Sequence, residues 1–148
     1  MTDCVDELRA MAVYLLSAGD PCLVSTEEII PALCVKVETL PSHLRLRALR
    51  RELITQVIFL KQRDLEDALS LYKSRSSPPS GVFDWRLDPV EYSWPWLLRL
   101  SPSEHTIVHR IVLLMLLREG YSLRDCARLL KSNDAVIQCV FDDSVRLL

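Results

Sequence analysis

Between Ser42 and Ser74 the chain contains neither proline nor glycine, and its apolar residues fall at Leu46, Leu49, Leu53, Val57 and Leu60, then at Leu65, Ala68, Leu69 and Tyr72. Intervals of three and four residues collect these side chains on one side of an α-helix, whereas a half-buried strand requires strict alternation. The spacing predicts one long helix, or two joined near Gln62 to Asp64. Glycine is confined to Gly19, Gly81 and Gly120, and each falls at an expected break.

The flanking segments follow the same rule. A first helix is expected from about Asp3 to Ser17, with Leu8, Met11, Ala12 and Leu15 on one face, stopped by Ala18-Gly19-Asp20-Pro21. Ser25-Thr26-Glu27-Glu28 offers a capping box for a short helix interrupted at Pro31, and Val35 to Val37 reads as helix or brief strand. Ser76-Ser77-Pro78-Pro79-Ser80-Gly81 is the natural linker, followed over residues 82–100 by an aromatic, proline-interrupted arm with Phe83, Trp85, Tyr92, Trp94 and Trp96. Ser101-Pro102-Ser103-Glu104 then opens an apolar helix through Ile107, Ile111, Leu114 and Met115, which Arg118-Glu119-Gly120 stops. Ser122 can cap a short helix carrying Ala127, Leu129 and Leu130, and after a Lys131-Ser132-Asn133 turn Val136, Ile137 and Val140 form the face of another. The expected fold class is all-α: an N-terminal helical lobe with one long helix (1–75), a Pro/Trp-rich linker and arm (76–100), and a C-terminal helix-turn-helix unit (101–148).

At 148 residues, 49% of them hydrophobic, the chain suffices for one ordinary core or two small helical lobes. A net charge of −2 gives no global attraction to nucleic acid or anionic lipid. The distribution is uneven. Residues 1–40 carry two cations against seven carboxylates, and residues 41–75 carry eight against four. Asp3, Asp6, Glu7 and Arg9 interrupt any signal-like pattern, and the apolar run Ile111 to Leu117 is too short to cross a bilayer. Five irregularly spaced cysteines argue against a disulfide framework, so a reducing cytoplasm is expected. There is no Gly-rich phosphate loop, nucleophile elbow or HExxH motif, so neither catalysis nor a small-molecule substrate nor a cofactor is expected. His105 and His109 stand four apart, a spacing metals use, but no companion ligand lies at a recognised offset, and no metal is expected.

Gly120-Tyr121-Ser122, Cys126-Ala127-Arg128-Leu129-Leu130 and Val136-Ile137 carry a resemblance. Over the last third of the chain they resemble the helix-turn-helix of sigma-factor region 4, of response-regulator DNA-binding domains and of some phage antitermination proteins. The resemblance implies that Ala127 sits where two helices cross closely, with Leu130 closing the first and Ile137 pinning the second. It departs from the family at Lys131, where glycine is usual, and in its acidic last helix. The function implied is a small transcription regulator that meets double-stranded DNA or a protein of the transcription machinery.

In that reading Asn133 and Gln138 address base edges, while Arg124, Arg128 and Lys131 touch the backbone. Arg45, Arg47, Arg50 and Arg51 add phosphate contacts or steering; their structural alternative is a solvated helix face. Leu46, Leu49, Leu53 and Leu60 approximate a heptad seam, through which the long helix would form a homodimer. Trp85, Trp94 and Trp96 either anchor a partner or fold back over the core. Asp134, Asp142 and Asp143 favour a second possibility, an antiactivator or adaptor whose acidic helix meets a basic protein surface.

Overall fold

The computed structural model describes residues 2–17, 19–74 and 105–146, and every element among them is helical. The aromatic arm with Trp85, Trp94 and Trp96, and the expected cap at Ser101 to Glu104, lie outside the described residues. Two compact units are present, Met1–Lys61 and Gln62–Leu148. Among the described residues no helix is long and apolar enough to cross a membrane.

The first unit holds α1 (Thr2–Leu16), α2 (Cys22–Lys36) and α3 (Ser42–Leu60), each packed on the other two. Leu8, Met11 and Leu15 of α1, Ile30 and Leu33 of α2, and Leu49, Leu53, Ile54 and Val57 of α3 fill its core. Ser17 and Gly19, both at positive φ (70° and 92°), turn the chain out of α1. Asp20 then accepts the Cys22 N–H at 2.8 Å, so α2 starts earlier than the capping box at Ser25 implies. It also continues through Pro31. That ring is exposed, so the missing N–H falls on the solvent side, where the orphaned carbonyl is open to water. Buried Thr26, read as part of a cap, instead donates its hydroxyl to the Leu23 carbonyl at 2.7 Å inside the helix.

The long helical stretch breaks at Lys61, whose φ of −109° and ψ of 22° leave the α region. Its ammonium pairs with Asp20 at 2.8 Å, tying the end of α3 to the α1–α2 turn. Leu49 and Leu53 are 2% and 0% exposed, so the centre of the heptad-like seam is spent on this unit's own core.

The second unit contains α4 (Gln62–Lys73), α5 (Ile107–Leu113, continued by a π-helical turn at Leu114–Arg118), α6 (Leu123–Leu129) and α7 (Asp134–Arg146). Continuous helical spacing from Ser42 to Ser74 places α4 with the N-terminal lobe. Its Leu65, Leu69 and Tyr72 are instead buried in the second unit, where α4 packs on α5 and α7. Val108, His109 and every residue from Ile111 to Leu117 are buried, as befits a helix surrounded on all sides. Helix α5 begins with Thr106 as its cap, the Thr106 N–H donating to His109 Nδ1 at 3.1 Å. On the other side of the ring, His109 Nε2 and the Tyr72 hydroxyl are 2.7 Å apart, linking α4 to α5.

Candidate nucleic-acid interface

Helix α6 is short, and its start is held by a reciprocal cap. Ser122 Oγ accepts the Asp125 N–H at 3.0 Å, and Asp125 Oδ2 accepts the Ser122 N–H at 3.4 Å. Its inner face buries Cys126 and Ala127 against the rest of the unit. Burial, reinforced by the neighbouring Asp125 charge, pushes the Cys126 thiol up to about 12, so this sulfur stays protonated.

The exit from α6 is a Schellman turn. The Ser132 N–H donates to the Ala127 carbonyl at 2.8 Å and the Lys131 N–H to the Arg128 carbonyl at 3.3 Å. Lys131 occupies the left-handed position of that turn with φ 54°, where the resembled families place glycine. Asn133 then caps α7, its Oδ1 accepting the Val136 N–H at 3.0 Å. The three short helices α5, α6 and α7 pack on one another, with Ala127, Leu130, Ile137 and Val140 buried where the sequence places them inside.

What remains outside is selective. Arg124, Arg128 and Lys131 are all exposed; Arg124 and Arg128, four apart, share one face of α6, and Lys131 lies past its end at the left-handed position of the turn. The two residues expected to read bases are engaged locally. Asn133 has committed its amide oxygen to the cap, and Gln138 Nε2 donates to Asp142 Oδ1 at 2.9 Å. Asp143 is 14% exposed and paired with Arg146, which leaves Asp134 as the exposed member of the three carboxylates.

The basic stretch on α3 is likewise partly consumed. Arg45 donates to the carbonyls of Leu40 and Glu38 at 2.8 and 2.9 Å and so closes the α2–α3 turn. Arg50 pairs with Glu7 of α1 at 3.4 Å, with both side chains mostly covered. Arg51 is half-buried, and Arg47 is the exposed member of the four. The two histidines of the possible metal spacing serve the fold: His109 at the α5 cap, and His105 through its Nε2, which donates to the Ser144 carbonyl at 2.8 Å. One further cation carries no signal in the sequence. Lys73 of α4 faces the α6–α7 turn across a groove, and its relevance appears only once α4 is placed in the second unit.

Among the described residues every element is helical, and the C-terminal unit presents exposed cations on a capped short helix and the turn that follows it. The chain matches no known family model, and neither a curated protein nor a solved structure with detectable similarity was found.

Proposed function

We propose that the chain is a transcription regulator that grips the phosphate backbone of double-stranded DNA through α6 and the turn that follows it. The observation that carries this reading is the exposure of Arg124 and Arg128 on one face of α6 and of Lys131 in the turn after it, on a helix whose ends are fixed by the Ser122 cap and the Schellman turn. Backbone contacts supply affinity without sequence information, and one polar atom of each of Asn133 and Gln138 is held by a local bond. The regulator therefore binds duplexes of different sequence with similar strength.

The test is fluorescence anisotropy of a labelled random duplex across a salt series. Three phosphate contacts give a slope of log K against log salt of about −2.7, and the double variant Arg124→Ala/Arg128→Ala lowers its magnitude to about 0.9. A flat salt dependence in the parent chain refutes the reading.

The exposed Asp134 at the start of α7 favours a second reading, in which this helix meets a basic surface on a protein of the transcription machinery. Asp134→Lys separates the two. It strengthens DNA binding under the first and abolishes partner binding under the second.

A further inference from the structure

Helix α5 opens with a cap of unusual chemistry. In a capping box the third helical residue is a glutamate or glutamine, whose side chain reaches back to the N–H of the cap residue. Here His109 takes that place, and its Nδ1 accepts the Thr106 N–H at 3.1 Å. A ring nitrogen that accepts carries no proton, so the one proton of the imidazole sits on Nε2 and is donated to the Tyr72 hydroxyl, 2.7 Å away on α4. Only the neutral ring satisfies both bonds, and the residue is 7% exposed.

The surroundings oppose a charge here. Tyr72 meets the ring edge-on from α4, with centroids 6.2 Å apart. His105 lies beside it at 5.4 Å and is itself buried, its Nε2 donating to the Ser144 carbonyl of α7. A proton taken up by His109 goes to Nδ1, where it opposes the Thr106 N–H. It reaches the Thr106 hydroxyl, 3.2 Å away, only by giving up the bond to that N–H. The new charge also stands at the positive end of the α5 dipole and next to a second imidazole. A glutamine cap has no proton to gain, whereas imidazole titrates at an ordinary value of about 6.5.

We propose that His109 makes the start of α5 an acid-released clamp: a proton on Nδ1 frees the Thr106 N–H and loosens the second unit. Helices α6 and α7 pack against α5 and its π-helical turn, so the platform that carries Arg124, Arg128 and Lys131 loosens with it. The clamp stands whether or not α6 holds DNA. The unfolded chain takes up this proton below about pH 6.5 more readily than the folded one, so the contribution to stability is complete above that pH and falls below it.

Hydrogen exchange of the full chain between about pH 7.5 and 5, corrected for intrinsic exchange rates, tests the proposal. One linked proton raises the opening constant of the α5 amides at residues 111–113 about thirtyfold across that range. His109→Gln restores a capping box that does not titrate and reduces the change to about threefold or less, whereas His105→Gln, which keeps a donor for Ser144, retains it. The parent chain supplies a reading that needs no variant: long-range proton–nitrogen NMR spectra show His109 Nδ1 unprotonated at about pH 6, where a free imidazole is mostly cationic. Exchange that is flat across the range, a pH dependence that persists in folded His109→Gln or disappears in folded His105→Gln, or a cationic His109 in the folded parent at about pH 6 overturns the proposal.

Discussion

Replacing Lys61 with methionine keeps the aliphatic stem but removes the charge that faces Asp20. Nζ and Oδ2 are 2.8 Å apart, and both side chains are only 16% exposed, so the pair lies between a solvated surface bridge and a fully buried one. Exposed bridges contribute about 0–1 kcal/mol, and stripping one partner from a buried pair costs about 3–5 kcal/mol. An intermediate loss of about 2 kcal/mol is expected for Lys61→Met at neutral pH. Burial by itself raises the Asp20 pKa, but the hydrogen bond and charge of Lys61 and the N–H of Cys22 outweigh it and hold the carboxyl below its ordinary 3.8. A carboxyl depressed in the folded state stabilises at pH above its unfolded value, and that contribution is lost as pH falls through the folded value. The cost of Lys61→Met is therefore greatest near neutrality and shrinks as pH falls below the unfolded value of 3.8 and through the lower folded one, where Asp20 protonates in the native state. Guanidinium unfolding of the parent, Lys61→Met, Asp20→Asn and the double variant, at pH 7 and at several acid values, yields the coupling energy. A coupling below about 0.5 kcal/mol at pH 7, or one unchanged well below the ordinary carboxyl range, refutes the argument.

Other consequences are equally direct. Ser122→Ala removes one half of the α6 cap and is expected to cost about 1 kcal/mol in chemical denaturation; an unchanged midpoint argues that the helix start is held otherwise. Tyr72→Phe deletes the 2.7 Å bond to His109 and is expected to cost about 1–2 kcal/mol, with a shift of the His109 ring resonances that a loss of packing elsewhere does not produce. Cys126 is expected to resist alkylation by iodoacetamide at pH 8 in the folded chain, since its thiol is buried and pushed up to about 12; modification at the rate of an unfolded thiol contradicts its placement.

Helix faces were legible because periodicity reports which residues turn inward together. Leu8, Met11 and Leu15 are buried as spaced, and so are Val136, Ile137 and Val140. Periodicity does not report what the buried face meets. Leu65, Leu69 and Tyr72 continue the stripe of α3 almost without interruption, yet they pack with the C-terminal helices. Only a single non-helical residue, Lys61, separates the two, and lysine is no helix breaker. Its departure from the helix coincides with an ion pair to Asp20, forty-one positions earlier, which no local pattern reveals. Pro31 misled in the opposite sense. Its sequence position suggests an interruption, but on an exposed helix face the lost hydrogen bond goes to water.

The surface residues divide by a different rule. Short polar side chains near helix ends have backbone groups within reach, and those local bonds form first. Asn133 is drawn into the α7 cap in this way, and Gln138 meets Asp142 one turn along the same helix. Arg45 is captured likewise by the two carbonyls left at the end of the α2–α3 turn. Arg124, Arg128 and Lys131 escape because the α6 start already has its Ser122–Asp125 cap and the α6 end its Schellman turn, so the helix termini make no demand on them. The cations left available are therefore a product of the backbone being satisfied elsewhere. Lys131 is the informative case: glycine would close the same turn at lower conformational cost, so what lysine adds there is its charge, past the end of α6 and beside the α4 groove.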